Sequence, residues 1–510
     1  MNGLKNILRK KKINIFKLEE HTDRFFYSAE RLGFKLPYSK EEINLASNKS
    51  KVSITEKVAF GIGMLANQMF PAALGVFIIV LVQDLGFAAL LWGIIQLAPR
   101  IFDAITDPLM GFISDNTKSK WGRRRQYVFI GGIIMGIAYI AMWQLYEENG
   151  LTYNFIYFLC WSLVFYLGLT IFSVPYVAMG YEMSEDFHER TQIMAIAQFI
   201  GQWAWVIAPW FWVILYDPAW FPDGAGQGVR ELSIWVAVSC TLFAITPAIF
   251  IKSKSTKHRK DFIPINASHL GQSLVNILRS VVEAFKIKSF RKIAFATFLV
   301  FNSFQVIAPF TFLIIVHYLF NSDPASAGNW PALHGSVGAL ITSFLVIPLI
   351  TYISKKIGKK RAFILAQCIS IIGYILFWFL FIPGKPYMFL YALPFHSFGI
   401  GSLFTIMMSM TADVCDLDEL KNGTRREGVL GAVYWWMVKL GFGVAGLLSG
   451  LTLQFVGFDA ENVTEFAIDG MRMFYTVIPI IGIFIAIYLM KDYEINEKRA
   501  NEIKKLLNKK

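Results

Sequence analysis

Long apolar stretches alternate with short, mostly basic polar turns along nearly the whole chain. A run of about 20 apolar residues crosses the hydrocarbon core of a bilayer as a helix, because only a helix satisfies its own backbone where there is no water. The pattern predicts twelve such spans, over 58–81, 87–114, 127–146, 153–181, 192–216, 233–251, 293–320, 331–353, 362–382, 387–413, 428–456 and 471–490. The second and fourth are long enough to tilt or to extend beyond the bilayer. The predicted fold class is therefore an all-α membrane protein. Its longest internal connection separates six spans from six. That gives a basic tail over 1–57, a six-helix half over 58–252, a middle loop over 253–292, a second six-helix half over 293–490 and a basic tail over 491–510. The halves echo each other. GFISDNTKSKWGRRR follows the second span and ISKKIGKKR follows the eighth, each a short, basic turn containing glycine. Two six-helix halves with such a repeat suggest a rocking transporter of the major facilitator type.

Composition sharpens this. Of 510 residues, 55% are hydrophobic and 17% charged, against about 25% charged in a typical soluble domain. Soluble enzymes and nucleic-acid binders are excluded on that ground. The net charge of +13 needs no nucleic-acid partner. Of 49 lysines and arginines, 13 precede the first span, 24 lie in the loops that follow even-numbered spans, and 7 lie in the C-terminal tail. Three lie on the opposite side and two within spans. Positive residues gather on the cytoplasmic side. Both termini are thus expected in the cytoplasm of a multi-pass protein of the plasma or bacterial inner membrane. The N-terminus has no signal-peptide pattern. Within 1–50, apolar residues interleave with the bases, as in a helix lying on a membrane surface; a partly ordered tail is the alternative. Cys160, Cys240, Cys368 and Cys415 form no CxxC pair, and the histidines have no metal-ligand spacing.

An ionisable side chain inside the bilayer is costly and marks a functional candidate. The predicted spans contain Arg100, Asp103, Asp107 and Lys439; two of each sign suggest internal compensation, with Lys439 offsetting the acids across the interface between the halves. Asp103 and Asp107 stand four apart and share one helix face, with Thr106 beside them. Asp103 lies twelve residues before Asp115, about 18 Å along a helix, which places the pair near mid-membrane. Two carboxylates on one face repel, and burial disfavours both charges. A proton, or a small cation with added hydroxyl oxygens, would relieve them; a structural Arg–Asp pair is the alternative. At the span ends, Asp115 with Arg123 and Arg124, and the mixed-charge stretch containing Asp413 and Arg426, suggest ion pairs that clamp the cytoplasmic mouth. Arg100 is grouped with these gating residues. Simple positive-inside topology is the alternative there.

RIFDAITDPLMGFISDNTKSKWGRRR, ADVCDLDELKNGTRREG and VPYVAMGYEMSEDFHERTQ resemble signatures of the glycoside–pentoside–hexuronide:cation symporters, the melibiose-permease-like branch of the major facilitator superfamily. The similarity runs from about 56 to 490. It implies a cation site at Asp103, Thr106, Asp107 and Thr170, where Thr106 departs from the asparagine of melibiose permease. It implies a sugar site that this chain alters. Asn67 and Gln68 stand for a lysine–aspartate pair, Ser173 for an aspartate, Val177 for a tryptophan and Gln198 for an arginine, while Lys439 is kept. Gln68, Ser173, Gln198 and Lys439 are the candidate substrate residues. Trp203, Trp205, Trp435 and Trp436 offer stacking faces, and His317 and His396 polar contacts, but packing is the favoured role for each.

The expected function is secondary active symport of a sugar or glycoside, coupled to Na⁺ or H⁺, by alternating access. The expected partners are a small-molecule substrate, a coupling cation and membrane lipid. No cofactor and no enzymatic activity are expected: no nucleophile motif, metal cluster or phosphate loop is visible. Two other readings remain. One is the same machine with an anionic or amphiphilic substrate drawn to Lys439; the other is a non-transporting membrane sensor.

Overall fold

The computed structural model describes residues 26–27, 52–184, 187–252, 256, 263–423 and 427–507. Apart from residues 26–27, the surface helix expected within 1–50 lies outside these, as does Arg426. Among the described residues, twelve helices are long and apolar enough to cross a membrane: Ile54–Gln83, Ala89–Asp115, Arg125–Met142, Leu151–Glu182, Glu189–Leu215, Ala225–Phe250, Lys288–Leu319, Pro324–Ile357, Lys359–Leu380, Pro386–Asn422, Leu430–Phe455 and Glu465–Lys491. They are spans 1 to 12 below, and each overlaps most of the stretch the apolar pattern predicts; the third ends four residues short of it, at Met142. Boundaries shift where capping decides them. Span 1 starts early because Ser53 and Glu56 form a reciprocal cap, which satisfies backbone N–H groups that the first turn leaves free. Span 10 continues through TADVCDLDELKN, past its apolar run, and stops at left-handed Gly423. The middle loop is not all loop: it holds a helix over Ala267–Lys286.

Each half pairs its helices in the same order. Span 1 packs on spans 5 and 6, span 3 on spans 4 and 6, and span 2 on span 4. Correspondingly, span 7 packs on spans 11 and 12, span 9 on spans 10 and 12, and span 8 on span 10. The halves meet along two seams, span 2 against span 11 and span 5 against span 8. This is the architecture of the major facilitator superfamily.

The span 2–11 seam is close because glycines line it. A Cβ on Gly450 would stand 2.3 Å from the Ala89 carbonyl oxygen, and one on Gly446 would stand 2.4 Å from Cβ of Gln96. Small residues let backbones approach where lipid offers no hydrophobic drive between helices.

The two buried apolar clusters divide unevenly. The larger fills the N-terminal half and continues through Phe312, Phe377 and Tyr475 into the far ends of the C-terminal spans. The smaller fills the near side of the C-terminal half. "Near" denotes the ends where the chain enters span 1 and leaves span 12. The halves are thus joined by a common core at the far end.

Candidate functional site

Span 2 carries the charged stretch in the middle of its length, between Pro99 and Pro108. A proline has no N–H to bond the carbonyl four residues back. Pro108 therefore frees the carbonyl of Ala104 between the two acids. Asp103, Asp107 and Arg100 then follow helical spacing. Lys439 lies at the middle of span 11, across the glycine-lined seam.

The structure brings Asp103, Thr106, Asp107 and Thr170 together. Thr170, on span 4, donates to Asp107 Oδ1 at 2.8 Å and lies 3.4 Å from Asp103 Oδ1. Its hydroxyl is also 3.4 Å from that of Thr106, which in turn donates to the Phe102 carbonyl at 3.2 Å. Lys439 donates to Asp107 Oδ2, and its Nζ stands 3.8 Å from Asp103 Oδ2. Arg100 Nη1 is 3.5 Å from the same Asp103 oxygen.

These contacts leave the two acids unequal. A threonine hydroxyl has one proton to donate, and the shorter geometry gives it to Asp107. Asp103 Oδ2 accepts no hydrogen bond. Asp103 is also the deeper acid, 1% exposed, whereas the side chains of Asp107 and Lys439 are 25% and 34% exposed. A buried charge held only by neighbours beyond hydrogen-bond range is poorly compensated. The cluster thus has a needy inner carboxylate and an outer carboxylate that faces open space with its ammonium.

Arg100 is not at a mouth. Its guanidinium lies mid-membrane, 4.6 Å from the Tyr166 ring centre and 4.9 Å from that of Phe442. Residues three apart are neighbours on a helix surface, so Arg100 stands beside Asp103 rather than at the cytoplasmic turn. It borders a cleft between the halves that Gln96, Trp205 and Gln305 also line. Arg100, expected with the gating residues or in a structural Arg–Asp pair, stands with the acids. Lys439, expected among the substrate residues and as compensation for the acids, has its closest polar contact with Asp107.

The other candidate substrate residues divide. Trp205 Nε1 donates to Gln68 Oε1 at 3.0 Å, and Gln68 Nε2 approaches Gln198 Oε1 at 3.5 Å. Spans 1 and 5 therefore present Gln68, Gln198 and Trp205 as one polar–aromatic group. Ser173 sits one turn beyond Thr170 on span 4, half-buried. Trp435 stacks on Phe404.

At the near end, Arg124 binds Asp115 at 2.6 Å and Glu182 at 3.2 Å, and Arg123 also pairs with Glu182. Asp413 pairs with Lys359 at 2.6 Å. These described pairs join helices within one half. Glu182 and Lys359 were legible as signature and basic-turn residues but had not been singled out.

At the far end the halves meet through neutral groups. Trp212 of span 5 stacks on Phe312 of span 7, with ring centres 4.0 Å apart. Ser336 of span 8 donates to the Val206 carbonyl at 2.6 Å. His317 Nε2 and Gln83 Oε1 stand 2.9 Å apart, and Nδ1 stands 2.8 Å from the Ser322 hydroxyl. A neutral ring that donates to Gln83 accepts from Ser322. No sequence spacing announces this contact, because its partners are 234 residues apart.

Residues 59–497 match the family model described as MFS/sugar transport protein. The chain belongs to that family. Within it, this protein is a member of the glycoside–pentoside–hexuronide:cation symporters. An uncharacterized symporter of Bacillus subtilis (strain 168), YnaJ, is 25% identical over 91% of this chain and 97% of its own. The glucuronide carrier protein homolog of Escherichia coli (strain K12) is 24% identical, over 88% and 93%. The isoprimeverose transporter of Lactiplantibacillus pentosus is 21% identical, over 88% and 90%. Among solved structures, a bacterial homolog of the human lysosomal transporter Spinster, inward-facing and unoccupied, superposes with a TM-score of 0.63 at 14% identity. It covers 88% of this chain and 97% of its own, and that likeness concerns the fold.

Proposed function

We propose that this family member is a symporter that imports a sugar or glycoside with Na⁺ or H⁺, the ion entering at Asp103, Thr106, Asp107 and Thr170. The observation that carries the reading is the convergence of two span 2 carboxylates and a span 4 hydroxyl, with the neutralising ammonium coming from the other half. Lys439 serves as a resident counter-ion. A proton or Na⁺ at the acids replaces it and frees span 11 from span 2. Ion occupancy is thereby tied to how the halves sit. The glutamine group on spans 1 and 5, with Ser173 and Trp205, offers hydrogen bonds and a ring face to a neutral hydroxylated substrate. This suits a sugar better than an anion, because Lys439 is already engaged. The relatives' printed names, a glucuronide carrier and an isoprimeverose transporter among them, support a glycoside class.

With both termini in the cytoplasm, as the distribution of basic residues favours, the far-end contacts close the outer side. The described state is then inward-facing. Linkage requires ion and substrate to raise each other's affinity equally. One charge moving down 100 mV contributes about 2.3 kcal/mol, and a tenfold ion gradient adds about 1.4 kcal/mol. Uptake of labelled glycosides into energised membrane vesicles tests the reading. Collapsing the potential and the Na⁺ and H⁺ gradients should reduce accumulation to equilibration. Accumulation that persists without them overturns it.

A further inference from the structure

The middle-loop helix over Ala267–Lys286 has two apolar faces, and the protein covers only one. Val281, Ala284 and Phe285 pack into the near-side cluster of the C-terminal half. The helix touches span 2 of one half and spans 7 and 11 of the other. The next face round the helix carries Val275, Leu278 and Val282, which are 50%, 65% and 58% exposed. Arg279 and Lys286 follow on the same exposed side.

The order around the helix is informative. At about 100° per residue, the face packed on the protein is followed by Leu278, Val282 and Val275. Arg279 and Lys286 come next, then Gln272, Asn276 and Glu283. Protein, apolar flank, basic boundary and polar face succeed one another. A helix wholly in water would not leave three large apolar side chains in a row beside its bases. A helix at a bilayer interface would, with its apolar flank at the acyl boundary and its bases level with the headgroups. Arg279, Lys286 and nearby Arg291 are all exposed. By contrast, Lys288 binds Glu494 at 2.6 Å and Lys292 donates to the Asp492 carbonyl at 2.5 Å. The bases that tie the C-terminal segment down are thus distinct from those that face outward.

We infer that this helix docks on the anionic phospholipid of the leaflet at the near end. Val275, Leu278 and Val282 enter the acyl boundary, and Arg279, Lys286 and Arg291 bind headgroup phosphates. Bases near an anionic surface are drawn to it, and salt screens the attraction. Because the helix touches both halves, the lipid grips the inner mouth at their junction.

The test uses the full chain with its four native cysteines replaced and a single Leu278→Cys carrying an environment-sensitive fluorophore. It is reconstituted in phosphatidylcholine alone, or with phosphatidylglycerol added. Acrylamide, a neutral quencher, reports exposure to water without bias from surface charge. The expected result is a blue-shifted emission and several-fold weaker quenching when phosphatidylglycerol is present, reversed by high salt. The triple variant Arg279→Glu, Lys286→Glu, Arg291→Glu should lose the lipid dependence. Equal quenching in the two lipid compositions overturns the inference, whether the label is exposed or shielded in both. A lipid response that survives salt also overturns it. The comparison of lipids requires no charge variant to fold.

Discussion

The halves of this transporter hold each other in two unlike ways. At mid-membrane, spans 2 and 11 are joined by charge: Asp107 and Asp103 on one side, Lys439 on the other. At the far end, they are joined by a ring stack and neutral hydrogen bonds, at Trp212 and Phe312, His317 and Gln83, and Ser336 and Val206. Removing one partner of a fully buried ion pair costs about 3–5 kcal/mol, because the other charge is left behind; Asp107 and Lys439 are 25% and 34% exposed, so water screens their pair and the cost is smaller. A neutral hydrogen bond contributes about 1 kcal/mol net, and an aromatic pair about 0.5–1.5 kcal/mol. The ionic contact is therefore hard to break by chance and simple to exchange for another cation. The neutral seal has no group a cation could replace, but water can satisfy its partners one by one. On the proposed mechanism, ion binding acts at the first contact and the second yields as the halves rock.

Removing the charge from either acid breaks this comparison most severely. Asp103→Asn and Asp107→Asn should each abolish concentrative uptake while the protein remains in the membrane, as immunoblotting of vesicles would verify. Full accumulation in both variants would rule out the ion-site assignment. The next largest effect is expected from Lys439→Ala. Without its ammonium, the acids lose the counter-ion that couples them to span 11, and accumulation should fall at least about tenfold, or about 1.4 kcal/mol of coupling. If uptake and its ion dependence were unchanged, Lys439 would be a tolerated residue only.

The ionic contact was far more legible in the sequence than the neutral one, for a physical reason. Charges inside apolar runs stand out because the bilayer penalises them, so Asp103, Asp107, Arg100 and Lys439 could be singled out one by one. Helical spacing even put the acids on one face. The spans were legible for the same reason, since apolar length is all a crossing helix needs. What the sequence could not show was contact. Arg100, expected with the gating residues or in a structural Arg–Asp pair, stands beside the acid three residues on. Lys439, expected both among the substrate residues and as the acids' counter-charge across the interface, binds Asp107. Trp212, Phe312 and Gln83 were invisible as a seal, because an aromatic or amide residue near a membrane interface is common. Three π-helical turns, at Ile314–Leu319, Ile341–Val346 and Leu403–Met407, also escaped. They depend on packing, and apolar periodicity is nearly the same with or without them.

Within the ionic region, Thr170→Val should have a smaller effect. It keeps the shape and removes the hydroxyl that donates to Asp107 at 2.8 Å. Loss of about 1 kcal/mol weakens apparent ion affinity about fivefold. The measurement is the ion concentration for half-maximal uptake, and Thr170→Ser should restore it. If Thr170→Val leaves that concentration unchanged, the hydroxyl is not a ligand and the site reduces to the two carboxylates.

The smallest effect, and the sharpest test of the contrast, is expected at the seal. Trp212→Ala removes the stack on Phe312 but touches no charge. An aromatic pair of about 1 kcal/mol should shift the balance between the two access states only about fivefold. Because the seal contains no ion ligand, ion affinity measured within a fixed access state should be unchanged. The shift can be read with a cysteine at Gln305, which lines the central cleft, in a chain otherwise free of cysteine. An impermeant maleimide added from the far side should label it several-fold faster when Trp212 is alanine. Reduced coupling would show instead as uptake that no longer follows the ion gradient, the pattern expected of Lys439→Ala. Finding that pattern in Trp212→Ala, with no change in labelling, would mean that seal and ion site are one unit rather than two.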